Sequence, residues 1–95
     1  MQPLTEAEIT EHVAARSGWS VVGSGIERTF ERPSFADAIA FVVRVGFFAE
    51  AADHHPDLDL RWRTVRVFLT THEAGGLTGR DFDLAAAIDS IGHTA

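Results

Sequence analysis

Hydrophobic residues recur at helical spacing over residues 35–52 and cover most of the helix circumference. One stripe holds Phe35, Ile39, Val42, Val43 and Gly46, and a second stripe holds Ala38, Phe41, Val45, Phe48 and Ala52. A helix that is apolar on most sides is buried on more than one side. We therefore expect a partner subunit to cover one of these sides. The alternative is that other layers of the same chain cover it.

The pattern changes to strict alternation from residue 57 onwards. Leu58, Leu60 and Trp62 carry the first apolar positions, and Val65, Val67 and Leu69 carry the later ones. The apolar positions thus shift from even to odd numbers, which a continuous strand cannot do without turning its core face outward. We predict strand structure with a bulge or break near residues 63–64.

The first third of the chain predicts a helix followed by a β-hairpin. Thr5 can cap a helix over residues 5–16, with Glu8 at the capping-box position. Residues 19–22 and 26–32 are strand-like and flank a glycine-containing turn. Ser34 is the predicted N-cap of the long central helix.

The final third predicts a loop over residues 72–77 and a last helix. Thr78 is a candidate N-cap with Asp81 at the box position, and the helix ends near Gly92. The predicted element order is α-β-β-α-β-(β)-α. Helices mixed with antiparallel hairpins indicate an α+β fold, with three helices on one face of an antiparallel sheet of three to four strands.

Composition narrows the class of protein. The 95 residues are expected to form one domain, and so small a core gives little stability alone, which favours oligomerisation. The chain has no cysteine, which excludes disulfides and thiolate metal sites. A formal net charge of −6 argues against direct binding of nucleic acid. Because no signal peptide or membrane span is recognisable, we expect a cytoplasmic protein without membrane partners.

Histidines and carboxylates cluster between residues 50 and 81. His54 and His55 directly precede Pro56 at the expected end of the central helix, and His72 follows the alternating segment. Imidazole titrates near neutral pH, so this cluster is suited to proton transfer. Glu50 precedes His54 by four residues, which puts both on one face if the helix persists that far.

The same residues also have purely structural interpretations. His54 and His55 can be a solvated helix end, His72 a turn residue, Trp62 a core residue, Arg80 a surface charge and Asp81 a helix cap. His12 and His93 are expected on the surface. A cation site built from Asp53, His54, His55, Asp57 and Asp59 is a weaker alternative. Adjacent histidines rarely chelate one ion together, and no His-Glu-x-x-His helix is present.

The cluster, written Glu50-x3-His54-His55-Pro56-x5-Trp62-x9-His72-x8-Asp81, resembles the signature of the pterin-4a-carbinolamine dehydratases. Residues 65–81 resemble a second block of that family, and the similarity extends over nearly the whole chain. The resemblance implies three helices against an antiparallel sheet and assembly as dimers or tetramers. It implies a lyase that dehydrates 4a-hydroxytetrahydrobiopterin to quinonoid dihydropterin in tetrahydrobiopterin recycling, with no metal or organic cofactor.

The resemblance also implies roles for single residues. His54 and His72 correspond to an acid/base pair, His55 to a histidine that holds the pterin, and Glu50 and Asp53 to carboxylates that orient the imidazoles. The implied substrate-binding residues are His54, His55, Pro56, Trp62, Thr71, His72, Glu73, Ala74, Arg80 and Asp81. Leu58 and Leu60 stand where better-known animal members carry an aromatic residue and an asparagine, which puts the contacts of those side chains in doubt.

A second class of function stays open beside the lyase. Some members of the family serve as a dimerisation cofactor for a homeodomain transcription factor through their helical face. The chain could accordingly be a non-catalytic pterin-binding or dimerisation module, or a relative that acts on another pterin. The complete histidine set favours the lyase, since a scaffold has no need for three imidazoles.

Overall fold

A four-stranded antiparallel sheet, with helices on one face, forms the frame of the molecule. The computed structural model describes residues 1–92, so His93 lies outside it. The helices are α1 (Glu6–Ala15), α2 (Phe35–Ala52) and α3 (Gly79–Gly92), and a short 3-10 turn covers His72–Ala74. The strands are β1 (Ser20–Val22), β2 (Gly25–Glu31), β3 (Asp57–Arg61) and β4 (Thr64–Leu69), in the spatial order β1-β2-β4-β3. The predicted α+β class and element order are confirmed.

The strand alternation gives the sheet one apolar and one polar face. Leu69 of β4 pairs with Ile26 of β2, and Val67 of β4 pairs with Leu58 of β3. These side chains pack into the hydrophobic core together with apolar residues of α2 and α3. On the opposite face, Glu27 and Arg66 form an ion pair between β2 and β4. All the described helices therefore share the apolar face.

The shift in apolar positions marks a tight hairpin. Strand β3 ends at Arg61, β4 begins at Thr64, and the two pair in antiparallel register around Trp62 and Arg63. Trp62 has a left-handed backbone, with φ of 51°, and its side chain is 70% exposed beneath the Arg63 guanidinium. The structural interpretation of Trp62 as a core residue is therefore wrong. The predicted break is confirmed, and it reverses the chain direction.

Helix α2 buries only one of its two apolar stripes. Ala38, Phe41 and Val45 are buried against the sheet and α3. Phe35, Ile39, Val43 and Phe47, called here the α2 stripe, are between 41% and 73% exposed. No other layer of residues 1–92 covers the α2 stripe, so the alternative of a helix enclosed by its own chain is wrong. None of the described helices is long and apolar enough to span a membrane.

The N-terminal segment is held by polar contacts. In the confirmed capping box of α1, the Thr5 backbone N–H donates to Glu8 and the Glu8 backbone N–H donates to the Thr5 hydroxyl. Asp89 of α3 accepts a hydrogen bond from the Trp19 indole at 2.9 Å and forms an ion pair with Arg16 at 3.3 Å. Helix α1 itself contains no fully buried residue.

Candidate active site

One cavity of about 270 Å³ lies where the end of α2 meets the segment after β4 and the start of α3. It is lined by Asp53, His54, His55, Thr70, His72, Glu73 and Arg80. Three separate stretches of the chain thus converge on it. The fold brings together all three histidines of the cluster, although His72 is separated from the other two by a complete hairpin.

His54 is the buried imidazole of this cavity. Its side chain is only 7% exposed, and Nε2 lies 2.6 Å from Oδ1 of the fully buried Asp81. An ionised carboxylate only accepts hydrogen bonds, so Nε2–H donates to Asp81. No group in residues 1–92 bonds to Nδ1 of this ring. The ring therefore has a fixed orientation and one ring nitrogen not engaged by the protein, which suits proton exchange with a bound molecule.

Asp81 also caps α3. Its Oδ2 accepts a hydrogen bond from the Thr78 backbone N–H at 2.9 Å, and Thr78 Oγ1 accepts one from the Arg80 backbone N–H at 3.2 Å. These contacts confirm the predicted cap at Thr78 with Asp81 at the box position. The capping role of Asp81 and its contact with His54 coexist, because the two carboxylate oxygens serve different partners.

His55 is the exposed imidazole, and it pairs with Glu50. Its Nε2 lies 2.8 Å from Glu50 Oε1, and both side chains are largely exposed. The condition under which Glu50 would lie beside His54, a helix that persists to His54, is not met, because α2 ends at Ala52. Asp53 then adopts the left-handed conformation, with φ of 48°, which an aspartate tolerates better than most residues. The chain turns there, so His54 points into the protein and His55 comes to lie beside Glu50.

Arg80 joins two edges of the cavity. Its Nη2 donates to the Asp53 backbone carbonyl at 2.5 Å, and its Nη1 lies 3.7 Å from the Glu73 carboxylate. The interpretation of Arg80 as an ordinary surface charge is therefore wrong. Its guanidinium fixes the left-handed end of α2 against the start of α3. His72, at the first position of the 3-10 turn, is exposed and lines the cavity.

Not every predicted substrate-binding residue reaches the cavity. Thr71 and Asp81 lie fully buried behind His54, while Pro56 and Ala74 are chain neighbours of lining residues and do not line the cavity themselves. Trp62 lies at the tip of the β3–β4 hairpin, five strand residues beyond the start of β3, and does not line it either. Asp53 lines the cavity, and its carboxylate forms no hydrogen bond to an imidazole of the described chain.

The sequence predicted neither Thr70 as a residue of the cavity nor the contacts of the Thr71 and Thr78 hydroxyls near Asp81. Thr70 lines the cavity and donates to the Ser24 carbonyl at 2.8 Å. The Thr71 hydroxyl lies 2.7 Å from Asp81 Oδ2 and 2.9 Å from the Thr78 hydroxyl. The only signal in the sequence was the position of two threonines directly before His72, which does not show where their side chains point.

Two further observations bear on ligands. In the part of the chain that the structure describes, no three His, Asp or Glu side chains converge in an arrangement that could hold a metal ion, so Asp53, His54, His55, Asp57 and Asp59 do not form the cation site considered above. A second cavity of about 380 Å³ lies beside the first and shares His54 and Arg80 with it. Its remaining lining is mostly apolar and comes from Phe48, Ala51, Ala52, Asp83, Leu84 and Ala87.

Comparison with known proteins gives a consistent result. A sequence model of the family described as Pterin 4 alpha carbinolamine dehydratase matches residues 2–91. A protein of Roseiflexus castenholzii, provisionally named a pterin-4-alpha-carbinolamine dehydratase, is 60% identical over 88 residues, covering 93% of this chain and 95% of its own. A protein of Chloroflexus aggregans with the same provisional name is 60% identical over 92 residues, covering 96% of this chain and 98% of its own.

A solved structure is similar along the whole fold. The crystal structure of transcriptional coactivator/pterin dehydratase from Brucella melitensis superposes with a TM-score of 0.92. It is 33% identical in sequence, and the match covers 96% of this chain and 99% of that one.

Proposed function

This chain belongs to the pterin-4-alpha-carbinolamine dehydratase family, and on that premise we propose that it dehydrates 4a-hydroxytetrahydrobiopterin by histidine acid/base catalysis. The reaction breaks the bond between carbon 4a and its hydroxyl oxygen. The hydroxyl gains a proton and leaves as water, and the pterin ring gives up a proton and becomes quinonoid dihydropterin. Two protein groups that exchange protons near neutral pH meet the needs of this reaction.

The single observation that carries the proposal is the meeting of three imidazoles at one cavity of about 270 Å³. That volume is just below the range for small-molecule sites, roughly 300–1,000 Å³. His54 and His72 act as the acid/base pair, and His55, held by Glu50, contacts the pterin. Neither step needs a metal or an organic cofactor, since both protons move through side chains of the chain itself.

The polar rim of the cavity supports recognition of a pterin edge. A pterin presents ring nitrogens and a carbonyl in one plane, and such edges are read by hydrogen-bonding groups in fixed positions. Arg80 holds the Asp53 backbone at one side of the cavity, and Glu73 lies on the other side of the same guanidinium. Of the segment from Thr71 to Ala74, His72 and Glu73 line the cavity and serve the same purpose. We place this lyase in tetrahydrobiopterin recycling in the cytoplasm.

Replacing His54 with alanine tests the mechanism directly. Dehydration of chemically generated 4a-hydroxytetrahydropterin, followed by ultraviolet absorbance, should be fast for the wild type. Turnover of His54→Ala and of His72→Ala should each fall by about 10²–10⁴-fold, the usual contribution of one proton-transfer group. His12→Ala is the matched control, because His12 stacks on Phe82 and does not line the cavity. Unchanged turnover in both site variants would rule out the acid/base assignment.

A second candidate function is favoured by the exposed α2 stripe. A contiguous apolar surface of this kind commonly marks a site of protein association. We propose that a second copy of the chain covers the α2 stripe and gives a homodimer or homotetramer.

If the wild-type protein folds and does not accelerate dehydration, the alternative is a non-catalytic pterin-binding or dimerisation module that acts through the same stripe.

A further inference from the structure

We propose that Thr71 is a positioning residue that sets the tautomer of His54 through Asp81, so that His54 exchanges protons with the substrate from Nδ1. The inference rests on the proposed function and deepens it. Thr71 was expected in the wall of the pocket. Its side chain is instead fully buried, behind the imidazole, and contacts Asp81 and Thr78.

The hydrogen bonds behind His54 have one consistent direction. An ionised Asp81 only accepts, so the Thr71 hydroxyl must donate to Oδ2 at 2.7 Å. Having used its proton there, Thr71 Oγ1 accepts from the Thr78 hydroxyl at 2.9 Å. Thr78 Oγ1 in turn accepts from the Arg80 backbone N–H at 3.2 Å. Each hydroxyl proton in this chain of bonds thus has one acceptor. Because the ionised Asp81 only accepts, His54 Nε2 is the donor to Oδ1.

Thr71 is not needed for the cap itself. The bond from the Thr78 backbone N–H to Asp81 completes the capping contact within one segment. Thr71 comes from the end of β4 and adds a second donor to the same oxygen. Two donors from different segments hold the plane of the carboxylate, and they keep Oδ1 aimed at Nε2. Loss of the Thr71 hydroxyl leaves the Thr78 hydroxyl without this acceptor and frees the carboxylate to rotate.

The consequence for His54 is that its two ring nitrogens have different, fixed roles. Nε2 carries the proton that binds Asp81, and Nδ1 carries the lone pair when the ring is neutral. No group in residues 1–92 bonds to Nδ1, so it is the ring atom left to take a proton from the substrate or return one. If the carboxylate rotates away after loss of the Thr71 hydroxyl, Nε2–H loses its acceptor, and the ring can adopt the other tautomer, in which Nδ1 already bears a proton and cannot accept one.

Long-range proton–nitrogen NMR correlations of the imidazole rings test this assignment. Spectra are recorded on the full chain over a pH series that reaches the neutral form, and the His54 signals are identified by their loss in His54→Ala. The variants are Thr71→Val, which removes the hydroxyl with little change of shape, and Thr71→Ser, which restores it. Thr29→Val is the control, because Thr29 lies exposed on the open face of the sheet.

We expect neutral His54 to carry its proton on Nε2 in the wild type, in Thr71→Ser and in Thr29→Val. Thr71→Val should show a mixture of both tautomers and a turnover lower by about 10–100-fold, the scale known for losing an outer partner of a metal-bound imidazole. A wild-type ring protonated on Nδ1 overturns the inference, and this result does not depend on whether Thr71→Val folds. A folded Thr71→Val with the wild-type tautomer or with wild-type turnover overturns it as well. A wild type without dehydratase activity instead refutes the proposed function, while its spectra still decide the tautomer.

Discussion

His55 and His54 differ in burial, and this difference separates their expected kinetic effects. His55 is 59% exposed and, within residues 1–92, is held only by the exposed Glu50, whereas His54 is 7% exposed and fixed by buried Asp81. We predict that His55→Ala raises KM more than it lowers kcat, because an exposed, loosely held imidazole contributes to binding in the ground state and the transition state alike. Steady-state kinetics of pterin dehydration measure both constants.

Glu50→Gln is a milder variant that tests the same binding role as His55→Ala. It keeps the size of the side chain and removes its charge, so KM should rise by a smaller factor than in His55→Ala. If His55→Ala lowers kcat and leaves KM unchanged, His55 is the acid or base and one of the other two histidines binds the pterin.

At the residue scale, the sequence predicted the residues that line the cavity better than it predicted the hydrogen-bond partner of each side chain. Six of the seven cavity-lining residues were among the predicted site residues. Which imidazole Glu50 contacts could not be predicted, because it depends on one left-handed residue at Asp53. The contact between His54 and Asp81 spans 27 positions in the chain. Helical or strand periodicity carries no information about such a contact, which only the packing of α3 against α2 creates.

At the element scale, the capping box of α1 makes stability depend on pH. The Thr5 backbone N–H and its hydroxyl bond to the Glu8 carboxylate and hold the pKa of Glu8 below its ordinary value of 4.5. A lowered folded-state pKa means that this stabilisation is present above pH 4.5 and is lost as the pH falls through the folded pKa. We therefore predict that Glu8→Gln lowers Tm at neutral pH, and that the difference from the wild type shrinks in acid.

Thermal unfolding followed by circular dichroism at several pH values measures this effect. Glu11→Gln is the matched control, since Glu11 lies in α1 outside the capping box. A difference between Glu8→Gln and the wild type that stays constant down to pH values well below 4.5 would contradict the role given to the Glu8 charge.

The sequence predicted the ends of helices and strands correctly where a single residue marks the boundary. Ser34 and Thr5 have side chains that cap, and both predicted helix starts are confirmed. The β3–β4 turn has no such signal, because neither Trp62 nor Arg63 is a residue that favours a left-handed backbone. The shift in apolar positions revealed that the strand breaks there. It could not show that the break is a hairpin tip that carries Trp62 away from the cavity.

At the scale of the whole molecule, the α2 stripe predicts self-association. Phe47 is 73% exposed in the single chain, which is unusual for a phenylalanine in a helix. We predict that the wild type sediments as a dimer or tetramer, and that Phe47→Glu shifts it to the monomer, because a charge within a buried apolar contact is costly. Analytical ultracentrifugation over a range of concentrations measures the change.

Arg44→Glu is the control for this prediction, since Arg44 is an exposed residue of α2 outside the α2 stripe. It should retain the wild-type assembly. A monomeric wild type, or an unchanged assembly in Phe47→Glu, would show that the α2 stripe is not where copies of the chain meet. The sequence predicted that a partner subunit buries one side of α2, because one small sheet cannot cover a helix that is apolar on most sides.

The shallow burial of α1 implies that stability is uneven across the molecule. A helix without a fully buried residue exposes little apolar surface when it opens, so its local unfolding costs less free energy than unfolding of the core. The segment before it is fastened by the Leu4 backbone N–H, which donates to the Leu77 carbonyl at 2.7 Å. Leu77 directly precedes Thr78, where the hydrogen bonds behind His54 converge. The least protected end of the fold is thus one backbone hydrogen bond away from the buried support of the candidate cavity.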